Sequence, residues 1–292
     1  MSALSAPIHA ATATAIAHGI TPDRCEVLQD GSTLVLRLTD SLVARIVQDR
    51  DGPRQGTDWF ARENAVARHL ANHGAPVIPM HPEIPPGPHE HSGYPMNFWQ
   101  FVTRIEAEPE ARQIAHALRQ CHRTLESFDQ PLPELAILHE GVDLLETLER
   151  RSLFSKETLS MLRDRLLSSV TALAGAACQP VHGDAHLGNL MNTTIGLLWT
   201  DWEDAFSGPV EWDLSSVIWN ARVLEGNQAF VDRFLEGYAE AGGNYDSQVL
   251  EHCMVGRAAV MTAWYPVLYP DMSAERKERL RHRLEWLETN GV

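Results

Sequence analysis

The feature that most limits what this chain can become is a change of periodicity near residues 103–108. Before it, Arg24–Gln29, Thr33–Thr39 and Leu42–Val47 are short β-prone runs, separated by Asp30-Gly31-Ser32 and Asp40-Ser41, whose side chains suit tight turns. They predict a three-stranded antiparallel meander. An alanine-rich helix over Ala6–His18 precedes it, and an amphipathic helix over Asp58–Asn72 follows. The proline-dense stretch Pro76–Pro95 reads as edge strands, since proline cannot donate to a ladder, and Asn97–Thr103 reads as the last strand. After Pro109, apolar residues recur every three or four positions. They predict helices over Ala111–Leu125, Asp143–Arg150, Lys156–Leu173, Leu214–Leu224, Gln228–Ala241, Gln248–Trp264 and Ala274–Glu288. Strands at one end and helices at the other define an α+β chain. The expected domains are a small antiparallel-sheet lobe at 1–103 and a larger, mostly helical lobe at 104–292.

Charge excludes several functions. The 292 residues carry a formal net charge of -15, with lysine only at Lys156 and Lys277. Such a surface repels nucleic acid and would attract a cationic partner. Cys25, Cys121, Cys178 and Cys253 are scattered with no CxxC pair, which argues against a disulfide framework or a zinc site and fits a reducing cytoplasm. The stretch Met1–Ile20 lacks the cationic start and sustained apolar core of a secretory signal, and no run reaches the length of a membrane span.

Between Arg165 and Arg222 there is no lysine or arginine, yet Asp184, Asp201, Glu203, Asp204, Glu211 and Asp213 all fall there. Carboxylates brought close together repel, and one takes up a proton unless a cation sits between them. The hard oxygens of Asn189, Asp201 and Glu203 suit Mg²⁺ carried in with phosphates better than they suit zinc. In Val181-His-Gly-Asp-Ala-His-Leu-Gly-Asn189, Asp184 and Asn189 stand five apart, the offset of base and metal ligand in a kinase catalytic loop. Asp201 follows after the turn Asn192-Thr-Thr-Ile195 and the apolar run Gly196-Leu-Leu-Trp199, a hairpin expected to bring Asp184, Asn189 and Asp201 together.

His182-Gly-Asp-x-His-x-x-Asn189, followed by Trp199-Thr-Asp-Trp-Glu-Asp204 and Gly208-Pro-x-Glu-Trp-Asp-Leu214, resembles the aminoglycoside phosphotransferase and choline kinase superfamily. The resemblance implies a protein-kinase-like bilobal fold and transfer of a phosphoryl group from ATP or GTP, with Mg²⁺, to a hydroxyl of a small molecule. It implies that Asp184 takes the hydroxyl proton or orients the hydroxyl, that Asn189 and Asp201 bind Mg²⁺, and that Asp213 braces the loop. His182 then supports the loop, and His186 is a local support or a donor on the substrate side.

The same resemblance places the nucleotide. A fold of this kind needs a cation on its third strand for the α- and β-phosphates, normally lysine. No lysine precedes Lys156, so Arg45 takes that place, its guanidinium forking onto phosphate, with Glu63 as its ion-pair partner. Asp30-Gly31-Ser32 is an abbreviated phosphate cover to which Ser32 contributes. Gln100, Phe101 and Val102 fall at the hinge, where backbone groups would bond the adenine edge and Trp99 or Phe101 would line the slot; Trp99 reads equally well as core.

For the acceptor, Glu203 and Asp204, with Glu211 and the acidic run Glu134, Glu140, Asp143, Glu146 and Glu149, suit a cationic molecule such as an aminoglycoside. A choline-like amino alcohol or another metabolite is the alternative. Two readings come from other classes. One is a nucleotide-binding protein without catalysis, which the intact Asp184, Asn189 and Asp201 oppose. The other is a metal-dependent hydrolase built on His182, Asp184 and His186, which an extended backbone would set on one face.

Overall fold

The computed structural model describes residues 4–31, 33–48 and 56–290. In chain order the elements are α1 (Ser5–Ala17), β1 (Glu26–Asp30), β2 (Thr33–Arg37), β3 (Leu42–Val47), α2 (Asp58–Asn72), β4 (His89–His91) and β5 (Tyr94–Gln100), then α3 (Ala111–Leu125), α4 (Ala136–Arg150) and α5 (Lys156–Leu173). There follow β6 (Gln179–Val181), β7 (Leu190–Thr193), β8 (Gly196–Trp199), β9 (Phe206–Gly208), α6 (Val210–Trp219), α7 (Gln228–Glu240), α8 (Ser247–Leu268) and α9 (Ala274–Thr289). The fold is mixed α+β, and the chain forms two compact units. The first is Met1–Glu108 with Met191–Glu203; the second is Pro109–Leu190 with Asp204–Val292.

The first unit is built on an antiparallel sheet with strand order β1-β2-β3-β5-β4. Successive side chains on a strand point to opposite faces. Leu34, Leu36, Leu38, Leu42, Ala44, Ile46, Met96 and Phe98 accordingly share a core with Ala10, Ala11 and Ala15 of α1. The alternation leaves Val35, Arg45 and Asn97 for the other face, and the register pairs Val35 with Arg45 and Arg45 with Asn97. A slip of one residue would drive Arg45 into the apolar core, so burial of the leucines fixes where the arginine points.

Within Pro76–Pro95, His89–His91 forms the one complete strand, and Tyr94 and Pro95 open β5. Prolines withhold the N–H groups a longer ladder needs, and single bridges join Val77 to Trp199 and Met80 to Trp99 instead. The β7–β8 hairpin belongs to this unit, whereas the sequence boundary at 103/104 assigned it to the helical lobe. Backbone bonds explain the difference: Ile105 N–H donates to Asn192 O at 2.8 Å, Trp199 N–H to Pro76 O at 2.9 Å and Ile78 N–H to Trp199 O at 3.0 Å.

The second unit is mostly helical. The sequence expectation for α4 began at Asp143, but the helix starts at Ala136, and Gly141 lies inside it. A Cβ at Gly141 would come within 3.1 Å of Val260 Cγ2, so the glycine permits close approach of α4 to α8 rather than marking a helix end. Helix α6 ends in a π-helical turn over Asn220–Leu224. Helix α8 starts at Asp246, whose carboxylate accepts from the N–H groups of Gln248 and Val249. No described helix is long and apolar enough to cross a membrane.

Candidate active site

The loop between β6 and β7 is fixed from beneath by Asp213, near the start of α6. Its Oδ2 accepts from His182 N–H at 2.7 Å and its Oδ1 from Gly183 N–H at 2.9 Å. His122 Nε2 lies 2.9 Å from the same Oδ2, and Tyr238 Oη lies 2.8 Å from His122 Nδ1. With Asp213 accepting at Nε2–H, the ring's Nδ1 is left to accept from the tyrosine hydroxyl. The result is a hydrogen-bonded chain, Tyr238–His122–Asp213, ending on the loop backbone. All three residues are buried, so losing any one leaves unsatisfied polar groups away from water.

Gly183 is required by the turn. It has φ +85°, and a Cβ there would fall 2.0 Å from the carbonyl oxygen of Asp204. Its own carbonyl accepts from Trp212 Nε1 at 2.7 Å and from Arg257 Nη1 at 3.3 Å. Arg257 Nη2 also donates to Asp184 Oδ1. Asn189 Nδ2 donates to Asp184 O at 2.9 Å, and His186 Nε2 stands 3.4 Å from Asp184 Oδ2. Burial alone would raise the pKa of Asp184, but the charge of Arg257, aided by His186, outweighs it and holds the carboxyl well below the usual range. Burial lowers His186, and Asp184 only partly restores it.

The two loop histidines are turned to backbone duty. His182 is fully buried and its Nδ1 accepts from Asp184 N–H at 3.3 Å, while His186 Nδ1 accepts from Gly188 N–H at 2.9 Å. Among the described residues no group of three His, Cys, Asp or Glu side chains is arranged to hold a metal ion.

Arg45 lies in the first unit. Its Nη1 is 3.0 Å from Glu63 Oε2, and its Nη2 is 2.9 Å from Asp201 Oδ1 and 2.5 Å from Glu203 Oε2. Asn97, beside Arg45 in the sheet register, donates to Glu63 at 2.9 Å and holds that carboxylate in place. Burial works against the charge on Arg45, but Asp201, Glu203 and Glu63 together raise it well above the ordinary arginine value. Glu63 is pushed up by burial and pulled part of the way back by Arg45. Asp201 has φ +66°, a left-handed backbone rare outside glycine, asparagine and aspartate.

Three carboxylates meet on one guanidinium, and their oxygens are of the hard kind that divalent cations such as Mg²⁺ prefer. Within the second unit, the side-chain nitrogen of Asn189 is directed at Asp184, which leaves its side-chain oxygen as an acceptor of the same hard kind.

Ser32 lies outside the described residues. At the hinge, Gln100 N–H donates to Pro79 O at 2.9 Å and Phe101 N–H to Ser41 O at 2.6 Å, so two donors expected at an adenine edge are committed to the chain's own carbonyls. Phe101 packs beneath the Arg37 guanidinium, and Trp99 is buried core. The acids expected to form a pocket for a cation are also dispersed: Glu203 pairs with Arg45, and Glu211 Oε1 accepts from Asp246 N–H at 2.7 Å. Asp143, Glu146 and Glu149 lie on exposed positions of α4.

Sequence reasoning missed Arg257, Asn97 and Tyr238. A signal existed for the first, a lone charge in the apolar run Met254–Met261, which requires a buried partner.

A five-stranded antiparallel sheet followed by a helical unit that carries this loop defines a protein-kinase-like fold. The sequence profile of the phosphotransferase enzyme family matches residues 12–249, and the chain belongs to that family. No curated protein matches it significantly. Among solved structures, amicoumacin kinase hAmiN, in complex with AMP-PNP, Ca²⁺ and Ami, is 15% identical with a TM-score of 0.72, over 92% of this chain and 89% of that one. Choline kinase LicA from Streptococcus pneumoniae is 15% identical with a TM-score of 0.67, over 94% and 97%. Spectinomycin phosphotransferase APH(9)-Ia, in its AMP-bound complex, is 14% identical with a TM-score of 0.63, over 96% and 95%. At these identities the likeness is one of fold.

Proposed function

We propose that this protein moves the γ-phosphoryl group of ATP onto a hydroxyl of a small molecule. The observation that carries the reading is the state of Asp184: a carboxylate kept ionised by Arg257, on a loop clamped by Asp213. Membership of the phosphotransferase family supports the reaction class, and neighbours named as kinases of amicoumacin, choline and spectinomycin support a small acceptor.

In this reading Asp184 accepts a hydrogen bond from the acceptor hydroxyl and aims its oxygen at phosphorus. Arg257 keeps the carboxylate weakly basic, so Asp184 orients early and receives the proton late, as the loose transition state of phosphoryl transfer permits. Asn189 and Asp201 are the proposed Mg²⁺ ligands. When bound, the ion supplies neutralisation of phosphate charge. Arg45, steadied by Glu63, is the proposed anchor of the α- and β-phosphates, with Ser32 and the backbone of Val102 as further nucleotide contacts. His182 supports the loop, and His186 and Asp204 face the acceptor. The four free cysteines accord with a cytoplasmic protein.

The test is a panel of hydroxyl compounds incubated with ATP and Mg²⁺ and read by mass spectrometry for the gain of one phosphate. The gain should vanish in EDTA. No product, together with no binding of Mg·ATP in calorimetry, rejects the reading. The hydrolase alternative predicts the reverse, turnover without nucleotide; the commitment of both loop histidines to backbone N–H groups speaks against it.

A further inference from the structure

A second arginine in the helical unit is buried in a different way. Arg283 of α9 is 8% exposed, and its guanidinium lies 4.7 Å from the Trp219 ring centroid and 4.8 Å from that of Tyr265. Its one hydrogen bond is from Nη1 to Met261 O, long at 3.5 Å. Among the described residues no carboxylate lies within ion-pair distance of it. Its Nε has no hydrogen-bond partner there, and neither do Trp219 Nε1 nor Thr262 Oγ1. All three atoms carry hydrogens and are buried.

Buried charges are ordinarily paired, and buried donors are ordinarily satisfied. The aromatic faces offset part of the cost of burying this cation, since rings attract a guanidinium. They do nothing for the N–H groups that lie in the guanidinium plane. Burial lowers the Arg283 pKa to about 10, with Arg257 adding like-charge repulsion, so the group remains a cation at neutral pH and Arg257 stands within Coulombic reach of it. Arg257 in turn holds Asp184. An unpaired cation and spare donors thus lie within Coulombic reach of the arginine that holds the residue proposed to orient the acceptor.

We infer that Arg283, with Trp219, forms a binding site for one anionic group, a carboxylate or a phosphate, carried by the acceptor. The inference rests on the kinase reading above and deepens it, naming the acceptor as a hydroxylated acid or phosphate ester rather than a polycation. The dispersal of Glu203 and Glu211 onto partners within the chain points the same way. The formal charge of -15 does not oppose it, because a field spread over the surface is screened within about 8 Å at physiological salt, whereas a buried guanidinium is not.

The experiment measures the thermal midpoint against inorganic phosphate, and Mg·ATP binding by calorimetry, for the wild type, Arg283→Met and Arg283→Lys. The expected result is a midpoint that climbs with phosphate in the wild type, apparent affinity at least about tenfold weaker in Arg283→Met, and an intermediate value in Arg283→Lys, which keeps the charge but loses the fork. Mg·ATP binding should be the same in all three. A phosphate response that is equal in the three proteins, or absent from the wild type, overturns the anion site, the latter showing that ordered water suffices for these donors. Loss of the kinase reading looks different: the phosphate response survives while Mg·ATP fails to bind. In the acceptor panel, products should appear among hydroxy acids and sugar phosphates, and products confined to hydroxylated amines would overturn the inference.

Discussion

Arg45 stands on a strand with three carboxylates around it; Arg283 stands on a helix against two aromatic rings and, among the described residues, pairs with no carboxylate. Both are largely buried, yet the first cation is paired with acids and the second is faced by rings. What a site attracts is therefore set by how its own ions are paired, and the chain's overall charge says little about it. The first is the proposed anchor of the nucleotide phosphates, the second the proposed seat of an anion.

The largest expected effect falls where the chemistry is proposed. Asp184→Ala should lower phosphoryl transfer by about 10²- to 10⁴-fold, the range for a positioned acid–base group, while leaving Mg·ATP affinity in calorimetry nearly unchanged. Unaltered turnover would remove Asp184 from the mechanism.

The two arginines should then part company in urea unfolding. Arg45→Ala strands buried Glu63 and should lose about 3–5 kcal/mol together with nucleotide affinity, whereas Arg283→Met replaces an unpaired ion by an apolar side chain and should be neutral or stabilising by about 1–4 kcal/mol. Equal losses in both variants would break the comparison.

Arg257→Met sharpens it through pH. The Asp184 carboxyl sits below its ordinary value, so the stability gained by pairing is complete above the unfolded carboxyl's value and is lost as pH falls through the depressed one. Without Arg257, burial acts unopposed and the carboxyl rises, so the acid limb of kcat/KM should move to higher pH. A limb that stays put means Arg257 does not govern Asp184.

The smallest effect is expected from Tyr238→Phe, which removes one hydrogen bond to His122 and should cost about 1 kcal/mol in denaturant titration, with a modest fall in turnover as the loop loosens.

Much of the architecture was legible because it rests on short-range rules. The meander, α2, α3 and α5 follow from alternation, turn residues and helical spacing, and their bounds in the structure lie within a few residues of those expected. The loop was legible because its residues are close in sequence. Arg45 and Glu63 were found through the resemblance, and they do pair. The remainder was hidden by distance along the chain. Arg257 reaches Asp184 across 73 residues, and Arg45 reaches Glu203 across 158, so local patterns carried no trace of either contact. Arg283 is harder still, sitting among the many charges of α9 where nothing marks one arginine as buried. The helix expected over Asp143–Arg150 begins instead at Ala136, and Gly141 inside it serves as a close-packing contact.

The left-handed backbone at Asp201 bears on how this protein can change over generations. Only glycine, asparagine and aspartate sit easily at such an angle, and of these aspartate alone is charged. Drift at that codon is thereby channelled. One nucleotide step to asparagine would erase the acid and leave the turn at ease, so a well-folded descendant without the proposed metal ligand lies one step away.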